Sequence, residues 1–80
     1  MNKKIPPKMI PVWEFFVANA YQEEFEISIT DIATKIKKSR YLIIKSINHL
    51  EAMGILHVQR GLYGDSKRSH VYFVADKDYE

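Results

Sequence analysis

Between Thr30 and Val74 two short helical patterns follow one another with almost no chain between them, and a strand–loop–strand pattern comes directly after. This order leaves few folds open, because a tight link holds two amphipathic helices side by side and the strands must cover what they leave bare. The first segment runs from Thr30 to Lys38. Thr30 is a good N-cap, Asp31 complements the positive end of the helix dipole, Ser28 is the alternative cap, and Ile32, Ala33 and Ile36 form the apolar stripe. The second runs from Ser39, another N-cap candidate, to Met53. At 100° per residue Ile43, Ile47 and Leu50 gather on one side, and Tyr41, Lys45, Asn48, His49 and Ala52 on the other. Gly54 suits the helix end. Ile55 to Arg60 and His70 to Ala75 are rich in strand-forming residues, and the polar, glycine-containing stretch Gly61 to Ser69 between them reads as a loop.

Upstream, residues 1–8 read as a flexible arm, since Pro6-Pro7 resist helix and no core pattern precedes them. Pro11 suits a first helical position, so a helix is expected from there to Glu23 or Glu24, followed by a short strand over Phe25 to Ser28. Apolar residues surround that helix almost completely. A helix of this kind must be buried on all sides, and a domain this small is expected to cover only one of them. Val12, Trp13, Phe16, Val17 and Ala20 are therefore expected to form a homodimer interface. The alternative is a helix sandwiched inside a monomer by the two termini. Residues 76–80 form a charged tail, which leaves 9–75 as the domain.

Eighty residues make one small domain. There is no cysteine, which excludes disulfides, thiolate metal sites and cysteine nucleophiles and fits an intracellular, cytoplasmic protein. The basic N-terminus has no apolar stretch behind it long enough for a signal or a membrane span. The three histidines, His49, His57 and His70, lack zinc spacing, although His57 and His70 sit on strands of one hairpin and are candidates for mutual approach. The glycines match no phosphate-binding motif, and the serines read as caps and loop residues. No enzyme, metal or cofactor is expected.

The net charge of +2 is unevenly spread. Residues 35–70 hold eight basic residues against Glu51 and Asp65, a net of +6, while the segments on either side are each at −2. Positive charge gathered on one segment suits a polyanion. On Ser39–Met53 the outward face carries Tyr41, Lys45, Asn48 and His49, with Arg40 in the first turn and no acid before Glu51. Asn pairs with an adenine edge, and Arg or Lys with guanine or phosphate. Lys67 and Arg68, with Arg60 at the loop base, form a second cluster suited to a minor groove or flanking phosphates. The expected fold is an α+β winged helix-turn-helix of three helices, a short strand before the second helix and a β-hairpin wing.

Ser28-Ile29-Thr30-Asp31-Ile32-Ala33, Ser39-Arg40, Ile43, Ile47, Leu50-Glu51-Ala52-Met53-Gly54-Ile55-Leu56 and Asp65-Ser66-Lys67-Arg68 occur in an order that resembles the winged-helix transcription regulators of the MarR kind. The likeness spans residues 27–75, about three fifths of the chain. It implies a DNA-binding dimer with recognition helix 39–53 in the major groove and the arginine of basic wing 60–69, here Arg68, near the minor groove. Lys37-Lys38 replace the usual glycine and apolar residue of the turn and add two phosphate contacts, and Ser46 stands where an apolar residue is common. The long terminal helices that build a ligand pocket in this family have no counterpart in the pattern, so no small-molecule ligand is expected. The residues expected on DNA are Lys37, Lys38, Ser39, Arg40, Tyr41, Lys45, Asn48, His49, Arg60, Lys67 and Arg68. Two other uses of the same fold stay open: an adaptor in plasmid or viral partition or replication, and a protein–protein interaction module.

Overall fold

The chain enters its first helix through a turn built on proline. The computed structural model describes residues 5–60 and 69–75, and within it Pro7–Met9 form a 3-10 turn leading directly into α1, Ile10–Ala20. Proline fits the opening of such a turn because the first N–H groups have no partner there. Ile5 and Met9, on either side of the prolines, are buried in the core. Of the expected arm, Ile5 is thus seated in the core, Pro7 and Lys8 stay exposed, and residues 1–4 lie outside the described residues.

Helix α1 stops at Ala20, short of the expected end at Glu23 or Glu24, and the cause is tertiary. The Val74 N–H donates to the Ala20 carbonyl at 2.9 Å, and the Gln22 N–H donates to the Val74 carbonyl at 2.7 Å. Tyr21 is extended and Gln22 takes a positive φ of 54°. The distant strand end captures a carbonyl that would otherwise sit at a fraying terminus. Val12, Phe16 and Ala20 are fully buried and Trp13 nearly so. The Phe16 and Tyr72 rings lie 4.7 Å apart, and Phe15 meets Phe16 and Phe25 edge-on at 5.6 and 6.0 Å. Most of the expected dimer face lies within this packing. Val12, Trp13, Phe16 and Ala20 belong to the subunit's own core, with Val17 half-buried against it. The 3-10 turn, both other helices and β3 pack against α1 and bury this side of it, while Ile10 and Ala18 stay exposed.

Strand β1, Phe25–Ile27, runs into α2, Ile29–Ile36, through Ser28. Ser28 rather than Thr30 is the cap: its Oγ accepts from the Asp31 N–H at 3.1 Å. The residue leaving a strand already has the extended backbone an N-cap requires, and Asp31 then stands at the positive end of the dipole. Thr30 lies inside the first turn, where its carbonyl accepts from the Thr34 hydroxyl at 3.0 Å. Helix α3, Arg40–Ala52, opens on Ser39, whose Oγ accepts from the Leu42 N–H at 3.1 Å. It closes in a Schellman arrangement on Gly54, φ +80°. There the Gly54 N–H bonds to the Glu51 carbonyl and the Ile55 N–H to the Leu50 carbonyl, while Leu50 and Ile55 are both buried.

Strands β2, His57–Gln59, and β3, His70–Phe73, complete an antiparallel sheet of order β1-β3-β2. Both are shorter than expected, because Ile55 and Leu56 bond back to the end of α3 and Val74 bonds to the end of α1. In register, Tyr72 lies between Phe25 and Val58, and its ring points into the core with His70 and Ile27. The architecture among the described residues is therefore α+β: three mutually packed α-helices and a small three-stranded antiparallel sheet, with α1 against β3.

Candidate nucleic-acid interface

Only Lys37, Lys38 and Ser39 separate α2 from α3. Lys37 adopts a left-handed conformation, φ 57° and ψ 47°, and its N–H and that of Lys38 both reach the Ala33 carbonyl. This is the conformation that glycine ordinarily supplies at a helix end. Lysine takes it at a cost of about 1 kcal/mol or more, so the turn keeps its geometry and gains a cation. Lys37, Lys38, Ser39 and Arg40 are all exposed, and they crowd the N-terminal end of α3.

Along α3 the inward stripe is as expected: Ile43, Ile47 and Leu50 are buried. Ser46 is buried beside them, and its hydroxyl has no partner among the described residues. Tyr41, Lys45, Asn48 and Ala52 face outward and are exposed. Tyr41 is 72% exposed, and Lys45 Nζ lies 5.5 Å from its ring centroid and 3.5 Å from its hydroxyl. One helical turn apart, the two side chains brace each other while leaving their polar atoms to solvent. His49 is only half-exposed, because it sits roughly 80° around the helix from Tyr41, at the margin of this face. Ile44 was not singled out in the sequence and is 39% exposed on the same side. The signal was present: Ile43 and Ile44 are adjacent, and two residues 100° apart cannot both point to the centre of one core.

The single acid of α3 is neutralised within the chain. Arg60, just beyond β2, donates through both terminal nitrogens to the two oxygens of Glu51 at 3.1 and 3.0 Å. The guanidinium hydrogen bonds hold the Glu51 carboxyl below the usual carboxylate range, and Glu51 in turn raises Arg60 further. The pair ties the end of α3 to the strand beside it. Arg60 was expected to hold phosphate, yet it already has an internal partner, although its side chain stays about half-exposed. Lys67 and Arg68 lie outside the described residues.

A half-open groove of about 220 Å³ runs between α3 and the sheet, with Ile44, Ile47 and Val58 as apolar walls and Asn48 and Arg60 among its polar groups. Tyr72 also lines it, but its hydroxyl is fully buried without a partner among the described residues. Burial pushes this phenol up to about 12. His57 and His70 do not meet: the register sets His57 opposite Phe73 on the outer face of the sheet, whereas His70 points inward. Among the described residues no group of three His, Cys, Asp or Glu side chains is placed to hold a metal ion, and no helix is long and apolar enough to cross a membrane. No family model, curated protein or solved structure matches the chain.

Proposed function

We propose that this chain is a winged helix-turn-helix that binds double-stranded DNA in a sequence-specific manner and regulates transcription. The observation that carries the reading is the outward face of α3. It offers Tyr41, Lys45 and Asn48 with exposed Lys37, Lys38 and Arg40 at its leading end, and its one acid is matched by Arg60. A solubilising helix face ordinarily mixes acids and bases, while a face for a polyanion removes or compensates its acids. In this reading α3 enters the major groove by its N-terminal half, and Asn48 and Lys45 address base edges. Lys37, Lys38 and Arg40 contact phosphates, Ser39 serves as cap and flank, and His49 contributes from the margin. Lys67 and Arg68 are proposed as the wing cations.

A homodimer on a twofold site is part of the proposal, but its interface is a surface other than the buried side of α1. Selection of bound duplexes from a random pool, with affinity followed against salt and the complex weighed, tests this directly. The expected results are a recoverable consensus, an affinity that falls as salt rises, and two copies per site. Binding that ignores salt and sequence would overturn it.

A further inference from the structure

We propose that Ile44 is a specificity residue that packs against the 5-methyl group of a thymine in the major groove. The inference rests on the DNA-binding reading above and deepens it. Among the described residues only Ile10, Tyr41 and Ile44 are large apolar side chains with substantial exposure, and two of the three lie on the outward side of α3. Ile43 beside it is fully buried, so the core has no need of Ile44. A β-branched residue is also a poorer helix former than the Lys, Glu or Gln that would suit a merely solvated position. It lines the groove with Ile47 and Val58 and keeps 39% of its surface open to solvent.

Charge complementarity selects the occupant. Ile44 stands one residue from Lys45, four from Asn48 and four from Arg40, with Lys37 and Lys38 at the same helix end. Whatever covers it must also accept that cationic surround, which excludes an ordinary apolar protein face. The apolar group that a duplex displays in its major groove is the thymine methyl. Ile44 precedes Asn48 by one helical turn, a rise of about 5.4 Å. Base pairs are spaced about 3.4 Å apart, so the thymine lies one or two steps from the base that Asn48 addresses.

The test uses the tightest duplex recovered by selection, with each thymine in turn replaced by deoxyuracil, which pairs identically and lacks only the methyl group. The wild-type chain is expected to lose about fourfold in affinity at one position, the value of burying one methyl-sized group. Ile44→Ala is expected to bind the thymine and deoxyuracil duplexes equally, and Ile44→Val to keep part of the difference. If the wild type binds every deoxyuracil duplex as tightly as the parent, still with salt dependence, the thymine contact is wrong and the DNA reading stands. If it binds no duplex in a salt-dependent way, both fail together. The deoxyuracil arms need only the wild-type chain, so a folding defect in a variant cannot obscure the result.

Discussion

Tyr72 and Lys37 each hold an environment or a conformation that their own chemistry opposes. Tyr72 is fully buried with an unpartnered hydroxyl among the described residues, and its phenol is pushed up to about 12. An unfolded tyrosine ionises near pH 10, so the group leaves stability unchanged below that value. As pH rises from 10 towards 12, the unfolded chain gives up a proton that the folded chain keeps, and stability falls by roughly 2–3 kcal/mol in all. Urea unfolding across that alkaline range should show the loss in the wild type. Tyr72→Phe should lack that component and be as stable as the wild type or more so at neutral pH, because it removes a buried donor that has no partner among the described residues. Lys37 carries strain of another kind, φ 57° in the left-handed region. Lys37→Gly should raise stability by about 0.5–1 kcal/mol in denaturant titration, while weakening DNA affinity through the loss of a cation. A fall in both quantities would place Lys37 in a structural contact that has gone unrecognised. Neither residue could be read this way from sequence, since burial and φ are set by the surroundings.

At the level of elements, caps and pairs decide where helices begin and how they are tethered. Ser28→Ala should cost about 1 kcal/mol in thermal or urea unfolding, and Thr30→Ala markedly less, because the Ser28 oxygen receives the Asp31 N–H. Equal losses would restore Thr30 as the cap. Sequence alone offered both residues, and β1 settled the choice by delivering Ser28 in an extended conformation. The Glu51–Arg60 pair is exposed enough that its contribution to stability is small, but its removal alters the charge available to a ligand. Glu51→Ala should leave the melting temperature within a few degrees of wild type and free Arg60 to meet phosphate. Affinity for random duplex should then rise, and the salt dependence steepen by about one unit. An unchanged slope would show that Arg60 lies beyond the reach of DNA.

For the whole molecule, the proposed division of labour along α3 makes a comparative prediction. Lys38→Ala should lower affinity for specific and random duplexes alike, while Asn48→Ala should lower it chiefly on the selected site, by tenfold or more for a lost bidentate contact of about 1–3 kcal/mol. Equal effects of Asn48→Ala on both would remove its base-reading role. The sequence by itself determined whatever depends on near neighbours: the inward stripe of Ile43, Ile47 and Leu50, the Ser39 cap, the Gly54 stop, the outward Tyr41–Lys45–Asn48 face and the concentration of positive charge. Helix period, capping and turn chemistry are local, so they are legible in a few consecutive residues. The tertiary structure alone decided which partners meet across the chain. It closed α1 at Ala20 through Val74, buried Val12, Trp13, Phe16 and Ala20 of α1 in the subunit's own core, drew Arg60 to Glu51 and left Ile44 outside the core. Each of those outcomes depends on residues far apart in sequence competing for the same space or the same hydrogen bond, and only the folded chain brings the competitors together.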